Sequence, residues 1–108
     1  MTNPHELIVV FCTVPDDETA ERLATGLVEK RLAACVKLIP GVRSFYRWDG
    51  KIEVGSEIQM LIKTRRSHFK AIDAWIHEQH PYEVPELVAL PASDVGGPYA
   101  EWAVEQTQ

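Results

Sequence analysis

No part of the sequence is apolar over a length that could cross a membrane, and no basic start marks an export signal. The N-terminal stretch MTNPHELIVVFCTVP carries one short apolar run, which Pro15 and Asp16 end. The expected location is the cytoplasm. Cysteine is scarce, with Cys12 and Cys35 the only two, and without an export signal such thiols are expected to stay reduced rather than to pair. Positive charge is also short: 11 Lys and Arg stand against 16 Asp and Glu, for a formal net charge of -5, and no block of like charge occurs. Nucleic acids and anionic membranes require a basic face, so neither is an expected partner. GxSxG, Walker, HExxH, GxGxxG and CxxC patterns are all missing, which removes the usual signatures of catalysis and of a self-contained metal site. Repeats, linkers and low-complexity segments are missing too. What remains is 108 residues, 45% hydrophobic and 25% charged, enough for one globular domain spanning the whole chain. A domain this small gains from sharing a core with a partner.

The residues present set out a regular order of elements. Leu7 to Val14 reads as a strand, and Asp16 as the N-cap of a helix whose Ala20, Leu23, Ala24, Leu27 and Val28 repeat at three- and four-residue spacing. Lys30 and Arg31 are expected in its last turn, where the helix dipole favours cations. RLAACVKLIPGVRSFYRW is a second extended segment, interrupted at Pro40 and Gly41 by an expected bulge. Asp49-Gly50 then predicts a hairpin into a strand over Lys51 to Thr64, with Ile58, Met60 and Ile62 on one face. A helix is expected over Ser67 to Gln79, with Phe69, Ile72, Trp75 and Ile76 on one stripe. A last strand over Glu86 to Pro91 and a tail helix near Pro98 complete the order. This is the α+β, ferredoxin-like βαββαβ plan with an antiparallel sheet and an added C-terminal helix. LIVVFC, LAACV and LVAL are apolar at successive positions, so both faces of those strands call for burial; oligomerisation through the open face of the sheet is expected, with the tail helix the alternative cover for part of it.

Chemistry-bearing residues are few. Cys12 and Cys35 offer thiolates, the soft ligands that suit copper(I), although small buried hydrophobes are the commoner fate of such residues. His77 and His80, three apart at a helix end, could share an ion, or could be solvated and cap the helix; Pro81 turns His80 away from the helix face. Glu83 and Glu86 lack a nucleophile or oxyanion site nearby and read as solvated turn carboxylates. Lys63-Thr64-Arg65-Arg66 is the one basic cluster, able to hold an anion but more usually a solvated strand end. Phe45, Tyr46 and Trp48 sit beside the hairpin in acidic surroundings, which favours core or subunit contacts over base stacking.

CTVPDDETAERLA, RLAACVKLIPGVRSFYRWDGKIE, EIQMLIKT, HPYEVPELVALP and YAEW, in that order, resemble the CutA family, associated with divalent-cation tolerance. The resemblance runs over nearly the whole chain. It implies a ferredoxin-like subunit in a tight homotrimer, not an enzyme, that binds copper or another divalent ion. Carried over to this sequence, the metal ligands would be Cys12 and His80, with Cys35 a weaker third. Some relatives have two adjacent histidines before Pro-Tyr; here Gln79 precedes His80, which removes one imidazole. A second reading is a trimeric small-ligand sensor similar in plan to the PII-type regulatory proteins. In it an anion would occupy the cleft between subunits, lined by Lys63, Tyr82 and Glu83.

Overall fold

The computed structural model describes residues 5–108, and the first four residues of the run read for an export signal lie outside the described residues. The elements are β1 (Leu7–Val14), α1 (Asp17–Glu29), β2 (Cys35–Trp48), β3 (Lys51–Arg65), a 3₁₀ turn (Arg66–His68), α2 (Phe69–Gln79), β4 (Val88–Pro91) and α3 (Gly97–Gln106). The sheet order is β2-β3-β1-β4 with every neighbouring pair antiparallel. This is the expected ferredoxin-like arrangement.

Alternation along the strands divides the sheet into two faces. Ile8, Val10, Cys12 and Val14 of β1 stand opposite Thr64, Ile62, Met60 and Ile58 of β3, and all eight are buried. Leu23 and Leu27 of α1 and Ile72 and Ile76 of α2 complete this core. The helices meet where α1 has no side chain: a Cβ at Gly26 would stand 2.5 Å from the Trp75 ring. On the other face Val88 and Leu90 are 52% and 50% exposed. The tail helix covers one end of that face, with Lys63 Nζ 5.4 Å from the Tyr99 ring centre. Beyond the bulge the β2–β3 hairpin is left bare, with Phe45, Tyr46, Trp48, Ile52 and Val54 all exposed.

Turn chemistry accounts for the joints. Asp16 accepts a hydrogen bond from the Thr19 backbone N–H at 2.8 Å, capping α1, and this bond holds its carboxyl below the usual range. Asp49 and Gly50 both have positive φ, the requirement of a two-residue type I′ hairpin. Pro40 and Gly41 together oppose Ile58 alone, which is the expected bulge.

The structure corrects several expectations. α1 ends at Glu29, so Lys30 is its C-cap and Arg31 lies beyond, in the left-handed region at φ 59. Leu32 N–H donates to Leu27 O and Arg31 N–H to Val28 O, a Schellman closure that consumes residues 31–34 and starts β2 only at Cys35. β4 begins at Val88 rather than Glu86, because the segment before it wraps around the end of the sheet and Glu86 accepts from the Gln59 amide there. The basic cluster is occupied within the subunit. Arg66 pairs with Glu6 at 2.9 Å, Arg65 donates to Thr107 O, and Thr64 Oγ1 donates to Leu32 O at 2.6 Å. Phe45, Tyr46 and Trp48 contribute nothing to the subunit core.

Candidate functional site

Cys12 points into the core beneath the helices and is fully buried. Burial, reinforced by the charges of Glu86 and Glu57, pushes its thiol up to about 12, so it holds its proton at neutral pH. Cys35 opposes Lys63 in the β2–β3 ladder, whereas Cys12 opposes Met60. Those positions have opposite parity on β3, so the two thiols lie on opposite faces of the sheet.

His80 leaves α2 in an extended conformation, as the following proline requires. Its Nε2 donates to Thr13 O at 2.8 Å, and its Nδ1 accepts the Tyr82 backbone N–H at 3.0 Å. Both ring nitrogens are thus engaged, which fixes the neutral tautomer, and burial lowers its pKa further. His77 turns back along α2, its Nδ1 2.9 Å from Asp73 O, and is exposed, so the two histidines do not converge. Among the described residues no group of three or more His, Cys, Asp and Glu side chains is placed to hold a metal ion. The donors Cys12, Cys35 and His80 therefore do not fit a copper ion within one subunit. The first is buried beneath the helices, the second faces the other way, and the third has both ring nitrogens engaged.

What His80 does instead is fasten the connection between α2 and β4 to the end of β1. That connection forms one wall of a cleft of about 780 Å³, and the bare hairpin forms the other. Tyr46, Trp48, Glu53 and Glu57 come from the hairpin, Tyr82, Glu83 and Glu86 from the connection, and Thr13 from the end of β1. Tyr82 donates its hydroxyl to Glu57 at 2.8 Å, and burial followed by this bond raises the phenol's pKa. Among the described residues no Lys, Arg or His lines the cleft. Tyr82 and Glu83, expected to line a cleft between subunits, both line this one within a single subunit. Lys63 does not reach the cleft within one subunit, because it lies near the opposite end of β3 beneath Tyr99. Sequence reasoning passed over Glu53 and Glu57, whose exposed-looking alternation along β3 signals a solvated strand; only the folding back of Tyr82 covers Glu57.

Comparison with known proteins bears on the same residues. The family profile described as CutA1 divalent ion tolerance protein matches residues 8–106. The divalent-cation tolerance protein CutA of Pectobacterium atrosepticum is 52% identical over 97 residues, which cover 90% of this chain and 88% of that protein. CutA from Xylella fastidiosa superposes with a TM-score of 0.93 at 41% identity, covering 95% of this chain and 99% of the other. The periplasmic divalent cation tolerance protein CutA from Archaeoglobus fulgidus superposes at 0.92 with 35% identity, over 94% and 99% of the two chains. The strand order and these matches converge, and the chain belongs to the CutA1 divalent ion tolerance family.

Proposed function

We propose that this chain serves divalent-cation tolerance as a cytoplasmic homotrimer that takes up copper or a related divalent ion without catalysing a reaction. The observation that carries this reading is the uncompensated negative charge of the cleft. Glu53, Glu57, Glu83 and Glu86 face it with no base among the lining residues, and such a field concentrates cations. Carboxylates at the cleft, completed by groups from a second subunit, replace Cys12 and His80 as the proposed ligands. The trimer is supported by Val88 and Leu90, left bare on the sheet's open face, and by Ile52 and Val54 of the hairpin, on the face away from Tyr46 and Trp48. Cell fractionation tests the cytoplasmic assignment, and recovery in an extracytoplasmic fraction would refute it.

Calorimetric titration of copper(II) into the purified protein tests the metal reading. The expected result is binding that the Glu57→Gln/Glu83→Gln double variant weakens and Cys12→Ser leaves unchanged. Binding indifferent to the carboxylates but lost in Cys12→Ser or His80→Ala would return the site to the thiol and imidazole. Light scattering at the mass of a single subunit would remove the trimer.

A further inference from the structure

The cleft holds more than negative charge, and its aromatic content goes beyond the metal reading. A site for hydrated divalent ions needs oxygen donors and gains nothing from apolar rings. Here Tyr46 and Trp48 stand two apart on β2, so both rings project from one face of the hairpin. Tyr46 is opposite Glu53 in the β2–β3 ladder, which places a carboxylate beside a ring. Tyr82 closes the other side, its ring 4.7 Å from that of His80 and its hydroxyl held by Glu57. Glu57 is only 9% exposed, yet none of the ion pairs among the described residues involves it or the other three carboxylates. Of the bases on the same hairpin, Arg43 reaches the edge of the cleft, over the ring of the lining residue Phe45 at 5.7 Å, but none of Arg43, Arg47 and Lys51 is itself among the lining residues. The volume of about 780 Å³ is that of a small-molecule site rather than of a single ion.

Aromatic faces attract a cation through their quadrupole, most strongly one that is weakly hydrated, and carboxylates supply the net charge. We propose that this cleft binds a small organic cation of the alkylammonium class. Its charged head would lie among Tyr46, Trp48 and Tyr82, with Glu57 and Glu83 as counter-charges. A neutral molecule of the same shape gains only the apolar contact. A metal ion gains only the carboxylates. An organic ammonium ion gains both.

The test is calorimetry on the full chain with choline, its neutral isostere 3,3-dimethylbutan-1-ol, and magnesium(II). Choline is expected to bind with a Kd about tenfold or more below that of the neutral isostere. Trp48→Leu should weaken choline by a similar factor while leaving magnesium(II) unchanged, whereas Glu83→Gln should weaken both. Light scattering on each variant shows whether its assembly is intact. Should Trp48→Leu fail to assemble, Glu83→Gln on the exposed connection carries the test. Equal binding of choline and its isostere, or choline binding indifferent to Glu83→Gln and to any intact Trp48→Leu, overturns the proposal. So does an absence of choline binding combined with a change of assembly in the cleft variants, which would mean that a second copy of the chain fills the cleft. The copper(II) titration is a separate measurement, so either reading can fail while the other stands.

Discussion

The helix-covered face of the sheet and its open face, with the hairpin beyond, use the same aliphatic side chains to opposite ends. Ile8, Val10, Met60 and Ile62 are at most 2% exposed, whereas Ile39 and Val88 on the open face are 46% and 52% exposed. The difference does not lie in the residues, since isoleucine and valine occur on both sides. It lies in what covers them: two helices on one side, and only the end of α3 on the other. A buried aliphatic side chain contributes about 1.5–3 kcal/mol relative to an exposed one, so the first face holds the subunit together and the second is stabilisation left unused in a lone subunit. The cleft lies at the boundary between the two regions, where the connection after α2 reaches across the end of β1.

The comparison can be broken most forcefully at Ile62. Ile62→Ala is expected to cost about 2–5 kcal/mol, read as a lower urea midpoint with an unchanged slope. A loss below about 1 kcal/mol would mean that the covered face is not the core. Next comes the fastening of the cleft wall. His80→Ala leaves Thr13 O and the Tyr82 N–H without their partner and should cost about 1–3 kcal/mol. The effect carries a pH signature. Because the folded pKa of His80 is depressed below 6.5, the neutral ring's contribution is complete above that value and is lost as the pH falls through the lower folded value. The acid side of the stability profile should therefore flatten in His80→Gln, and an unchanged profile would show that the imidazole is not buried. Cys12 gives the converse case. Its folded pKa is raised from 9.0 to about 12, so stability is complete below pH 9 and declines above it; Cys12→Ala should reduce that alkaline decline. A smaller effect is expected at the entrance to α1, where Asp16→Ala removes the N-cap bond to Thr19 and should lower the urea midpoint by less than His80→Ala does. The least is expected on the bare hairpin. Ile52→Ser should change the stability of a dissociated subunit by no more than about 0.5 kcal/mol. It should, however, weaken the rise of Tm with protein concentration that an oligomer produces. A large loss in the dissociated subunit would show that Ile52 is already covered within the chain.

Much of this architecture was legible because it follows from local rules. Alternation named Ile58, Met60 and Ile62 as one face, Asp49-Gly50 named the hairpin, Pro40-Gly41 the bulge and Pro81 the end of α2. Each depends on neighbours within a few residues. The errors came where backbone closure consumed residues that had been assigned by pattern. Arg31 entered the left-handed region normally reserved for glycine, so the segment to Ala34 became a helix cap instead of a strand. The site was less legible for another reason. Cys12, Cys35 and His80 were grouped by chemical type, but ligation needs direction and unengaged lone pairs, and these depend on strand parity and on contacts far apart in sequence. Glu83 and Glu86 are as exposed as their turn positions suggested, and only Glu57 is buried, because Tyr82 reaches it from another part of the chain.

The sequence by itself determined the order of elements, the two-sided apolar character of the strands, the net negative charge and the family resemblance, since all of these are written in residue type and short spacing. Only the tertiary structure decided that His80 is a fastener rather than an open ligand, that the thiols face apart, and that Tyr46, Trp48 and Tyr82 gather with Glu53, Glu57 and Glu83 around one cleft. These are matters of distance between segments. Glu57 and Tyr82 are separated by 25 positions in the chain and by 2.8 Å in space. The fold brings them together by burying the apolar face that the chain can cover, and it leaves the cleft beside the face that the chain cannot.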